Sequence, residues 1–178
     1  LITNCLLFAL VVFVVDKAFL PVKYMAPTKV QDKRLNALFE GKIEKELIVI
    51  GSSRGQASIP AWVLEDSLKM SSFNLSFGGS EIEWQLFVLK ALLDKADPPK
   101  MIIKVLDESF ELTQGELNDF RVDLLYPLVK YPQALEALIE RGEKNWILSK
   151  LLVTHQLSQS AYDIRTPPAL HDTVLLFG

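Results

Sequence analysis

Residues 46–55, ELIVIGSSRG, decide the fold. An apolar, β-branched run from Leu47 to Ile50 passes straight into a glycine and two serines, which predicts a short buried strand ending on a polar turn. Downstream, IPAWVLEDSLKM predicts a helix that Pro60 opens and that ends near Met70. FNLSFGGS, residues 73–80, predicts a second strand and its exit loop. Ser80 and Glu83 have capping-box spacing at the start of a helix whose Ile82, Leu86, Leu89 and Leu93 share one face, and Asp97-Pro98-Pro99 closes it. MIIKVLDESF predicts a third strand, Met101 to Leu106, that runs into Asp107 and Glu108. Strand alternating with helix is the pattern of a parallel α/β sheet, whose ligands gather outside the carboxyl ends of the strands. The clusters GSSR, FGGS and LDES all fall at those ends, and three on one edge point to a binding or catalytic crevice.

Composition narrows the chemistry. With 178 residues, 49% of them apolar, the chain can bury a core of ordinary domain size, and 19 basic against 22 acidic residues give no field that would seek nucleic acid. Cys5 is the only cysteine, and His155 and His171 are the only histidines. No disulfide framework, thiolate zinc cluster or histidine-rich metal centre is expected, and no cofactor. The chemistry therefore falls to hydroxyls, carboxylates and backbone amides.

The first fifteen residues, LITNCLLFALVVFVV, have only Thr3 and Asn4 as polar members. Eleven unbroken apolar residues are short of the roughly 20 that cross a bilayer. Three readings stand: a membrane anchor cropped at its start, a cleaved signal peptide, and a buried core helix. The anchor is the expectation adopted for residues 1–22, followed by a juxtamembrane helical linker over 23–45 in which Gly41 ends a helical run. Residues 46–178 form the α/β domain, with a helical insertion over about 115–160.

Each polar cluster has a physical use. A serine on the sharp turn from strand to helix is exposed at the sheet edge, where backbone amides point outward with partial positive charge. Gly79 lets a further N–H approach a substrate oxygen without a Cβ in the way. Asp107 or Glu108 could orient a base, bind a hydroxyl or cap the next element. The simpler alternative is a structural turn, with Ser52 or Ser58 capping a helix and Arg54 pairing with a carboxylate.

These residues carry a resemblance. IVIGSSRGQASI, NLSFGGS and IIKVLDESF, within residues 46–110, resemble the first three blocks of the SGNH/GDSL-type hydrolases, in their membrane-anchored bacterial envelope branch. The resemblance implies a three-layer, flavodoxin-like parallel sheet. It makes Ser53 the nucleophile, with Ser52 where the family usually has Asp, and it makes Gly79 an oxyanion amide, with Gly78 the close alternative. Ser52, Arg54, Gly78 and Glu108 then line the binding crevice. Two blocks depart from the pattern. The asparagine of the third block is replaced by Asp107, whose carboxylate would repel an oxyanion. The final Asp-x-x-His block is not found, since His171 follows Pro168 by three positions and His155 follows Leu152. The expectation is that the block lies beyond Gly178, the alternative being lost catalytic machinery. Within the chain His171, beside Asp172, is the better candidate base, and His155, in an apolar run, reads as a packed or surface histidine.

The resulting expectation is a membrane-anchored, extracytoplasmic serine esterase or acyltransferase acting on O-acetyl esters of an envelope carbohydrate. The alternative is a non-catalytic envelope protein that binds polysaccharide or an assembly partner in the same crevice. Trp62, Trp84 and Trp146 read as core or interface aromatics, an exposed one being able to stack on a sugar ring.

Overall fold

The structure is a computed structural model that describes residues 2–106 and 120–158; Asp107, Glu108 and His171 lie outside the described residues. In chain order the elements are α1 (Ile2–Lys17), α2 (Leu20–Met25), α3 (Arg34–Phe39), β1 (Leu47–Ile50), α4 (Ser53–Ser58), α5 (Ala61–Leu68), β2 (Ser72–Asn74), α6 (Ile82–Leu93), β3 (Met101–Lys104), α7 (Val122–Leu125), α8 (Pro132–Glu140), α9 (Trp146–Leu151) and α10 (Val153–Gln156). They form two units. One gathers residues 2–30 with 122–158, and the other residues 31–106 with 120 and 121.

The second unit is built on a parallel sheet in the order β2-β1-β3, with Leu47 opposite both Ser72 and Met101. β1 is buried at all four positions, the reason it reads as an unbroken apolar run rather than an alternating one. β3 is an edge strand among the described residues, and its Met101 and Ile102 are exposed. It is also shorter than the predicted Met101 to Leu106. α5 begins after Pro60, as its sequence predicts.

Residues 31–45, expected within a linker, belong to this unit. Leu35, Leu38 and Phe39 of α3 are buried, and so is Ile43. α3 ends where Gly41 predicts, in a Schellman arrangement in which the Gly41 N–H donates to the Leu38 carbonyl and the Lys42 N–H to that of Ala37.

α6 corrects two local expectations. Its N-cap is Glu81, with no side-chain cap bond, and the Ser80 hydroxyl instead donates to the Gly51 carbonyl at 3.2 Å. Its buried face is Trp84, Gln85, Val88, Ala91 and Leu92, while Ile82, Leu86 and Leu93 are exposed. Both sets fit a 3.6-residue period, because IEWQLFVLKALL is apolar nearly all round. The aromatic side decides between them. Trp84 packs edge-on against Phe77 and Phe120, with ring centres 5.7 and 5.3 Å apart, and tilted against Phe87 at 5.5 Å. Such pairs add about 0.5–1.5 kcal/mol each beyond area burial, so α6 turns its aromatic face inward and fixes the loop that carries Phe77.

The first unit is helical among its described residues, with α1 and α2 grouped with α7 to α10. Residues Ile2–Lys29 form a helical stretch long and apolar enough to cross a membrane. α1 is exposed along nearly its whole length, and only Asp16 is buried. The Asp16 carboxylate accepts the Val153 N–H at 2.7 Å, the Thr154 N–H at 2.8 Å and the Thr154 hydroxyl at 2.6 Å, so it caps the first turn of α10. Lys17 donates to the Leu151 carbonyl at 2.8 Å, which ties the end of α1 to the end of α9.

Candidate active site

β1 delivers its chain to Gly51, and Ser53 opens α4 directly beyond it. Ser53 and Arg54 are exposed, and Ser52 is buried at the N-cap with no side-chain cap bond. The turn is tight because it lies on the second strand's exit: a Cβ built on Gly55 would come 2.6 Å from Ser76 Oγ and 3.1 Å from Ser76 Cβ. Only a residue without a side chain fits there.

The exit of β2 lies against this turn. A Cβ built on Gly78 would lie 3.8 Å from Ser53 Cβ. Standard backbone dimensions then put the Gly79 nitrogen within about 7.5 Å of Ser53 Cβ, close enough for one reacting group to touch both. Gly79 has φ +66°, a left-handed conformation natural to glycine.

Backbone hydrogen bonds identify which amide of the loop is free for a ligand. The Leu75 N–H donates to the Val49 carbonyl at 2.8 Å and the Phe77 N–H to that of Gly51 at 3.0 Å. The Ser76 N–H is taken by Asn74 Oδ1 at 2.8 Å, the Gly78 N–H by Gln56 Oε1 at 2.7 Å, and the Ser80 N–H by the Phe77 carbonyl at 3.2 Å. Among the described residues, the Gly79 N–H alone in this run meets no acceptor. Gly79 is exposed, so its N–H is open to solvent, and beside exposed Ser53 it is accessible to a ligand oxygen. Gly78, the close alternative, has its amide engaged.

Carbonyls of the same loop are held by guanidinium groups. Arg34, buried at 1% exposure, donates to the Ser76 carbonyl at 2.6 Å and to that of Asn74 at 3.3 Å, and lies 4.3 Å over the Phe77 ring. Asp32 clamps the same guanidinium at 2.6 Å. Arg121 donates to the Gly78 carbonyl and stands 3.5 Å from a Cβ built on Gly79. The Gly78–Gly79 peptide is trans, so fixing its carbonyl toward Arg121 turns the Gly79 N–H the opposite way. Asn74 Nδ2 donates to the carbonyls of Gly55 and Ile59, both at 2.8 Å, locking α4 onto the second strand. Cations therefore hold the loop's oxygens back and leave the Gly79 N–H outward, an arrangement that could serve one donor of an oxyanion hole.

Arg34, Gln56, Asn74 and Arg121 were not singled out from the sequence. Gln56 had a signal, one helical turn after Ser53. Arg121 had none. Of the predicted site residues, the structure brings Ser53, Gly78 and Gly79 together, with Ser52 and Arg54 adjacent in sequence; Asp107, Glu108 and His171 fall outside the described residues. His155 Nε2 accepts the Asn145 N–H at 3.1 Å, a structural use within the helical unit. Trp84 is core, while Trp62 and Trp146 are exposed. A groove of about 470 Å³ lies at the opposite, amino-terminal end of the strands, lined by Glu44, Glu46, Leu93, Asp97 and Lys100 among others. No group of three or more His, Cys, Asp or Glu side chains is placed to hold a metal among the described residues. No protein-family model, curated protein or solved structure matches this chain.

Proposed function

We propose that the chain is a membrane-anchored serine esterase or acyltransferase of the SGNH type. In this reading the three-stranded sheet is part of a flavodoxin-like domain, held on the extracytoplasmic side and acting on O-acetyl esters of an envelope carbohydrate. The observation that carries it is the Gly79 N–H, which meets no acceptor among the described residues, beside exposed Ser53 at the ends of parallel strands. Ser53 Oγ attacks the ester carbonyl and passes its proton to an imidazole, the role the resemblance gives a histidine and for which His171 is this chain's candidate. The amides of Ser53 and Gly79 receive the developing oxyanion. The alkoxide leaves protonated, and water or a sugar hydroxyl takes the acyl group from Ser53 in the second half-reaction. Asp107 and Glu108 are assigned to substrate hydroxyls, since a carboxylate does not suit the oxyanion.

The test is hydrolysis of a small aryl acetate by the full chain in detergent or vesicles. Ser53→Ala is expected to remove at least about a thousandfold of the activity while leaving the circular dichroism unchanged. Equal rates in the two proteins would remove Ser53 from the mechanism.

A further inference from the structure

α9 is apolar where a water-soluble surface would be polar. Its Trp146, Ile147, Leu148 and Leu151 are 56%, 49%, 41% and 55% exposed, whereas Ser149 is buried on the inner side. Four large exposed side chains on one six-residue helix form a patch that soluble proteins rarely present to water. The position of that helix is fixed within its own unit. Lys17, the last residue of apolar α1, donates to the Leu151 carbonyl at 2.8 Å, and Asp16 caps the residues that follow α9. α9 therefore sits beside the point where the apolar run of α1 gives way to Asp16 and Lys17, the first charged residues of the helical stretch Ile2–Lys29.

The side chains suit a membrane interface. Trp146 is an amphipathic ring of the kind enriched at membrane interfaces, and Lys150 lies 5.1 Å over it with its charge on a flexible stem. Lys150 puts positive charge beside the apolar patch, complementary to anionic headgroups, while Lys17 is ion-paired with Asp16 at 3.2 Å. α2, which follows α1 in the chain, exposes Leu20, Tyr24 and Met25. We infer that α9 is a second membrane contact: its Trp146–Ile147–Leu148–Leu151 face lies in the headgroup and acyl boundary of the bilayer that α1 crosses, continuing the lipid-facing surface of α1. This rests on the anchor part of the proposed function, and its consequence is that two contacts rather than a single tether restrain the helical unit at the membrane.

The test uses the full chain in mixed phosphatidylcholine and phosphatidylglycerol vesicles, with Cys5→Ser as background and a nitroxide on one introduced cysteine at a time. Val11→Cys reports the anchor, Ile147→Cys the inferred contact and Glu65→Cys, on exposed α5, the aqueous reference. The ratio of oxygen to nickel-chelate collision rates at position 147 is expected to be several-fold above that at 65 and to approach that at 11. In the unlabelled chain, a brominated lipid should quench the emission that Trp146→Phe removes. A ratio at 147 equal to that at 65, with position 11 in lipid, overturns the inference and leaves the anchor standing. Protection of 147 from both reagents means that protein covers it and also overturns the inference. Aqueous access at position 11 overturns the anchor and the inference together.

Discussion

Arg34→Met tests whether a buried cation holds the candidate site from beneath. Methionine keeps most of the apolar stem against Phe77 but removes every donor. The carbonyls of Asn74 and Ser76 lose their guanidinium contacts at 3.3 and 2.6 Å, and the Asp32 carboxylate loses its partner at 2.6 Å. Removing one member of a buried pair costs about 3–5 kcal/mol, because the remaining group is left desolvated. Asp32 keeps 25% side-chain exposure and can rehydrate, which places the expectation near the lower end, at about 3 kcal/mol. Trp84, fully buried in the sheet unit, reports its unfolding once exposed Trp62 and Trp146 are changed to Phe. With a urea slope of about 1.5 kcal/mol/M, the midpoint of Trp84 emission should fall by about 2 M. Arg34→Lys, retaining charge and one donor direction, should fall between. A shift under about 0.5 M for Arg34→Met would refute the reasoning that this cation holds the loop.

Further outcomes follow from the same geometry. Gly55→Ala forces a Cβ to 2.6 Å from Ser76 Oγ and should cost about 1–3 kcal/mol in the same urea assay. Ser76 Oγ itself is buried without a hydrogen-bond partner among the described residues, so Ser76→Ala should leave stability unchanged or raise it by up to about 1 kcal/mol, and a clear loss would show that the hydroxyl is paired. Arg121→Met should lower kcat for an aryl acetate by about tenfold to a hundredfold with little change in KM, since it frees the Gly78 carbonyl and lets the Gly79 N–H turn; an unchanged kcat would deny it that role. In the helical unit, the Glu143 carboxylate accepts the Tyr126 hydroxyl at 2.5 Å and, with partial burial, pushes that phenol up to about 12. The pair's contribution is therefore complete below the ordinary phenol value near 10 and is lost as pH rises through about 12. One of the four tyrosines should ionise late in ultraviolet absorbance, and Glu143→Gln should bring it back.

The parts of the fold legible in sequence were those set by a single local pattern. Leu47–Ile50 was found at its observed bounds, because a strand buried on both faces is an uninterrupted apolar run ending at glycine. The turn at Gly41 and the helix after Pro60 were legible for the same reason. α6 was legible as a helix but not in its facing, since Ile82, Leu86 and Leu93 recur at the same spacing as Trp84, Val88 and Ala91 and only the aromatic partners Phe77 and Phe120 decide between them. Within the site, Ser53 and Gly79 showed through as strand-end punctuation. The groups that hold the loop did not, because Arg34 and Arg121 reach it from 42 and 43 positions away and nothing in local pattern links a guanidinium to a distant carbonyl. Asp16 was invisible as a cap for a similar reason, lying 137 positions from Val153.

The central claim is that Ser53 is a nucleophile facing the Gly79 amide, and covalent trapping addresses it most directly. A fluorophosphonate applied to the full chain, followed by digestion and mass mapping, is predicted to mark the peptide containing Ser53 at that residue and to leave Ser53→Ala unmarked. A phosphonyl group found on Ser52 or Ser80 instead, or equal marking of the wild-type and Ser53→Ala chains, would contradict it.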